Sequence, residues 1–159
     1  MVRGKKGLPA WVDPRKMSLM DEWEGAGEHL NQGRLKADEL QMAIEYLYDA
    51  IGKLESVEAD LSSEAIAIMD LLDKLGDSWL AVNRCRIYTE SIVFLEELLI
   101  PAMGLIHDAK CMLESCVAWR IGLTDAACRS IVNAVRLAVI EGLRPALEEL
   151  ECWLCETAV

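Results

Sequence analysis

The chain has 159 residues, 53% of them hydrophobic, with four prolines and one phenylalanine, a composition that excludes a disordered or fibrous polymer and permits one domain with a sizeable core. Its formal net charge is -11, from 16 bases against 27 acids. So negative a surface repels phosphate backbones, so direct nucleic-acid binding is not expected, whereas a basic protein is an acceptable partner.

The charge is unevenly spread. Residues 1–20 carry five bases (Arg3, Lys5, Lys6, Arg15 and Lys16) against Asp13. Residues 21–77 carry fifteen acids against Arg34, Lys36, Lys53 and Lys74, and residues 78–159 carry eleven acids against seven bases. Residues 1–34 also hold Gly4, Gly7, Pro9, Pro14, Gly25, Gly27 and Gly33, so they are expected to form a mobile, basic leader ahead of a folded domain over 35–159. Within that leader GAGEHLNQG is not a dinucleotide fingerprint, because Leu30 stands where the third glycine belongs and no strand precedes it. The leader has no apolar run of signal-peptide length, and no window approaches ~18 uninterrupted apolar residues. The expectation is a cytoplasmic protein without a membrane partner, in which six cysteines stay reduced.

From Leu35 to Leu61 the residues Leu40, Ile44, Leu47, Ile51, Leu54, Val57 and Leu61 recur at helical spacing and predict a first amphipathic helix. Ser62 and Ser63 suggest the cap of a second helix, carrying Ile68, Leu71, Leu72 and Leu75 and ending at Gly76. Asp77 suggests the start of a third, running to about Ile100. In that helix Leu80, Ile87, Phe94 and Leu98 fall on one side and Tyr88, Ile92, Leu95 and Leu99 on another, the pattern of a helix covered on more than one side.

Pro101 suits the first position of a fourth helix ending at Gly122, and Thr124 the cap of a fifth reaching about Glu141. Pro145 then opens a short sixth. No alternating run argues for a sheet, so the expected fold is all-α, a single-domain bundle of five or six helices.

Helical spacing also sorts the cysteines. Cys85, Cys116 and Cys128 fall on apolar sides and read as small core residues, whereas Cys111, Cys152 and Cys155 face outward. His107 with Cys111, and Cys152 with Cys155, are of the right type for a tetrahedral zinc site. Both pairs point away from a shared core, so they meet only if their outer faces are buried together, as at a subunit interface. A redox role is disfavoured for Cys152 and Cys155, since they lie near a helix C-terminus among carboxylates, both of which oppose the thiolate.

Other chemistry is not signalled. The residues three before His29 and His107 are Ala26 and Gly104, so neither makes the ExxH of a di-iron bundle. Glu96 and Glu97 diverge by about 100° on a helix and chelate poorly. Neither a nucleophile elbow nor a phosphate-binding loop occurs, and Arg129, Asn133 and Arg136 read as a water-facing strip. No catalytic, cofactor-binding or metal-binding residue is therefore assigned, no cofactor is expected, and the balance leans away from an enzyme.

Met42, Tyr46, Leu137 and Ile140 lie on otherwise polar sides, more apolar surface than a small helical bundle encloses. The functional expectation is accordingly a non-enzymatic protein-protein interaction or regulatory module, with a second copy of itself as first partner. Two alternatives compete with it: an acidic inhibitor that fills the nucleic-acid site of a basic protein, and a zinc-binding or thiol-dependent protein using His107, Cys111, Cys152 and Cys155.

Overall fold

A computed structural model describes residues 36–63, 66–118 and 122–158, and the expected leader lies outside them. The chain divides into two units, Met1–Lys36 and Ala37–Val159, of which the second holds every described helix. Those residues form four helices and no strand, so the fold is all-α. Helix α1 is Ala37–Leu61, α2 is Ile68–Tyr88 and α3 is Val93–Ala118. Helix α4 runs from Asp125–Leu137 through a π-helical turn, Ala138–Leu143, into Arg144–Ala158.

Helix α1 follows its pattern closely. All seven residues of the predicted stripe, from Leu40 to Leu61, are buried, with Ala43 and Ala50 between them. The alanines let α2 and α4 approach, and α1 packs against both. Lys74 of α2 is held to this helix by Asp60 at 2.6 Å and Ser56 at 2.8 Å, and it also pairs with Asp70 of its own helix at 3.1 Å. Hydrogen bonds that it donates to Asp60 and Asp70 raise the Lys74 ammonium above its ordinary value.

The expected five or six helices are corrected to four, and the differences have local causes. Ser62 and Ser63 do not cap α2: their hydroxyls donate to the Glu58 and Asp60 carbonyls and close the C-terminal turn of α1 instead. Helix α2 begins after Ala67 without a side-chain cap and passes straight through Gly76 and Asp77. Its buried stripe, Leu71, Leu75, Ser78, Val82 and Cys85, runs unbroken past the glycine, and that packing outweighs the ~1 kcal/mol a helical glycine costs. The single helix expected over 77–100 is two. It breaks at Thr89, whose N–H and hydroxyl both reach the Cys85 carbonyl, at 3.0 and 2.9 Å, and so satisfy the end of α2.

Pro101 is internal to α3 rather than its first residue. It is exposed, on a side of the helix where the Glu97 carbonyl that it leaves without an N–H donor is open to hydration. Thr124 does cap α4, accepting from the Ala127 N–H at 3.1 Å. Pro145 does not start a separate helix. One wide turn precedes it, in which the Arg144 N–H reaches back to the Val139 carbonyl, and this register slip gives the proline ring room without ending the helix.

Helix α3 packs against α2 on one flank and α4 on the other, and α4 closes back on α1. Each helix thus neighbours two others, around a core that includes Leu47, Leu54, Leu75, Leu99, Ile106, Leu113, Ile131, Leu143 and Leu150. Between α1 and α4 the polar ties are Glu58 to Arg136 at 2.7 Å, Glu55 to Arg144 at 2.6 Å, and the Tyr48 hydroxyl donating to Glu151 at 2.5 Å. The Glu151 hydrogen bond raises the Tyr48 phenol above its ordinary value.

Candidate functional site

The cysteines separate as their helix faces require, with two adjustments. Cys111, Cys152 and Cys155 are exposed, and Cys85 is buried, facing inward on α2. Cys116 and Cys128 are only half-buried, because they lie near the end of α3 and the start of α4, where the core thins. Burial pushes the Cys85 thiol up to about 12. Burial also raises Cys128, followed by the charges of Asp125 and Cys116.

Reactivity follows the thiolate and its access. A thiol reagent is therefore expected to modify Cys111, Cys152 and Cys155 rapidly in the folded, metal-free monomer and Cys85 only on unfolding. Mass spectrometry of peptides after a timed pulse of reagent checks this, and native labelling of Cys85 as fast as Cys111 contradicts the α2 register.

His107 and Cys111 stand one turn apart on the outer side of α3, with Sγ 3.4 Å from Nε2. On α4, Cys152 lies 3.9 Å from the Glu156 carboxylate. Among the described residues no three histidine, cysteine, aspartate or glutamate side chains gather as metal ligands, so the two pairs are not brought together within one chain. Glu96 is turned toward Arg86 at 3.5 Å and leaves Glu97 exposed, so these adjacent acids do not converge.

The surplus apolar surface that the sequence indicates gathers into a face on α2 and α3. On α2, Met69, Leu80 and Ile87 recur at spacings of eleven and seven on the side opposite the buried stripe. On α3, Val93, Ile100, His107 and Cys111 occupy the corresponding outer side. The five large apolar residues among them retain between 45% and 66% exposure. Pattern reading places Leu80 and Ile87 with Phe94 on one side of a single helix covered on more than one side; the structure divides that helix at Thr89, and all three residues are exposed. Met42, Leu137 and Ile140 are also exposed, whereas Tyr46 is half-buried with its ring 5.9 Å from that of Tyr88.

Between α2 and α3 the face is creased by a groove of about 530 Å³, lined by Leu72, Trp79, Leu80, Ile106, His107 and Lys110, with Asp73 and Asp77 on the α2 side. Its lining is more apolar than polar, with one cation and two carboxylates among it. No helix among the described residues is long and apolar enough to cross a membrane. No protein family, curated protein or solved structure matches the chain.

Proposed function

We propose that this chain is a non-enzymatic interaction module, a helical bundle that pairs with a second copy of itself through the α2–α3 face. The observation that carries the reading is the row of Met69, Leu80, Ile87, Val93 and Ile100, large apolar side chains in water on one side of two adjacent helices. The row on α2 alone spans about 27 Å at helical rise, long enough for the face of an ordinary dimer. Its charges are mixed: Lys110 on α3, which also pairs with Glu114 of its own helix at 3.6 Å, lies with Asp73 and Asp77 of α2 around one groove, so a second copy meets both signs of charge there. The reading includes a cytoplasmic setting, in which the six cysteines would stay reduced.

The acidic-inhibitor reading draws less support. Much of the negative charge on α1 is already matched within the chain: Asp49 by Lys53, Glu55 by Arg144, Glu58 by Arg136 and Asp60 by Lys74.

Sedimentation equilibrium over a range of concentrations tests the proposal. The wild type is expected to shift from monomer to dimer, and Leu80→Glu with Ile87→Glu to weaken the dimer at least tenfold, or about 1.4 kcal/mol. Monomer throughout, or a dimer indifferent to both substitutions, contradicts the α2–α3 interface.

A further inference from the structure

We infer that His107 and Cys111 are half of an intermolecular zinc site, completed by the same two residues of a second copy of this chain. The inference rests on the self-association reading above and adds a ligand to it.

Three observations converge on it. The separation of Cys111 Sγ from His107 Nε2 is 3.4 Å. With Zn–S of about 2.3 Å and Zn–N of about 2.05 Å at a tetrahedral angle, neighbouring sulfur and nitrogen ligands stand roughly 3.5 Å apart. The pair thus has the bite of two ligands on one zinc ion before any metal arrives. Both side chains are also exposed on the outer side of α3, where no third ligand among the described residues comes near. Finally, His107 lines the apolar groove of the face through which the copies are proposed to meet, and Cys111 stands one turn further along the same side of α3.

Half-sites of this kind are completed by symmetry. A two-fold axis passing beside Cys111 brings in the partner's own imidazole and thiol, and the set becomes the closed two-histidine, two-cysteine tetrahedron of structural zinc. Charge and atoms balance. Zinc exchanges its bound waters for two imidazole nitrogens and two sulfurs, each thiol gives one proton to solvent, and the two thiolates neutralise the dication. No electron moves. A protein of formal charge -11 does not repel the incoming cation, and zinc here would lock a dimer that apolar contact alone holds loosely.

Cobalt(II) titration of the reduced full-length protein, prepared free of metal, tests the site, with sedimentation in parallel. Expected are tetrahedral d–d bands and a thiolate-to-cobalt charge-transfer band saturating at one ion per two chains. Free zinc at about a hundred times its own dissociation constant should tighten the dimer roughly 100-fold. Cys111→Ser and His107→Ala should each abolish both effects, whereas Cys152→Ser with Cys155→Ser should leave them intact. These substitutions are at exposed positions, and circular dichroism verifies that the variants remain folded.

Bands that saturate at one ion per chain overturn the inference, as do bands lost on substituting Cys152 and Cys155 but kept without Cys111. A concentration-dependent dimer that binds no cobalt also overturns it while leaving the α2–α3 interface standing. Loss of that interface with a metal-dependent dimer still formed by His107 and Cys111 removes the apolar reading and keeps the zinc.

Discussion

Gly142→Ala is expected to lower stability by about 1–3 kcal/mol, while Gly52→Ala, the same change in another helix, is expected to raise it by roughly 0.5–1 kcal/mol. Both glycines sit within helical turns, where alanine is intrinsically the better residue. The neighbours reverse the sign at one of them. A Cβ on Gly142 falls 2.8 Å from the Ala102 Cβ and 2.9 Å from the Leu98 carbonyl oxygen, and the second of these is backbone that cannot swing aside. A Cβ on Gly52 meets nothing within 4 Å. Gly142 is therefore the point at which the π-turn of α4 lies directly on α3, and Gly142→Val should exceed the alanine loss. Thermal midpoints of the three variants decide the matter. Stabilisation by Gly142→Ala would mean that α3 and α4 are further apart than described.

Leu99→Ala and Leu80→Ala carry the second large contrast. Leu99 is fully buried, and its truncation should cost about 2.7–5 kcal/mol, the cavity adding to the lost transfer energy. Leu80 retains 45% exposure, so at concentrations where the chain is monomeric its truncation should change stability by no more than about 0.5 kcal/mol. Urea midpoints at unchanged slope give both numbers. The two leucines come from what periodicity alone reads as a single helix covered on more than one side, so equal losses would restore that pattern and remove the exposed face.

The comparison marks where sequence reasoning held and where it failed. Helix α1 was legible because a seven-residue stripe on an otherwise polar helix leaves one way to bury it, and Thr124 because a threonine hydroxyl before a helical run has one obvious donor to satisfy. The outward positions of Cys111, Cys152 and Cys155 followed from spacing alone, since a two-residue error in a helix boundary does not rotate its faces.

Glycine and proline misled. Gly76 and Pro101 punctuate nothing, because the buried stripes on either side of each are continuous and packing overrides local propensity. The break that matters, at Thr89, has neither residue; its only trace in the sequence is a short polar run, Thr89, Glu90 and Ser91, inside an apolar stretch. Missing that break left Leu80 and Ile87 on a single helix covered on more than one side, with its surplus apolar surface noticed but the α2–α3 face not located. The π-turn was illegible for another reason: it depends on the close approach of Gly142 to Leu98 and Ala102, which no local pattern records.

Hydroxyl-radical footprinting at low and high protein concentration tests the central claim most directly, because it reads water at individual side chains. If a second copy covers the outer side of α2 and α3, oxidation of Met69, Leu80, Ile87 and Ile100 falls together as the protein is concentrated, while Tyr48 on α1 and Ile140 on α4, exposed on the other two helices, keep their rates. Protection confined to Tyr48 and Ile140, or oxidation of the α2–α3 residues that stays constant across the dimerisation range, would contradict the account.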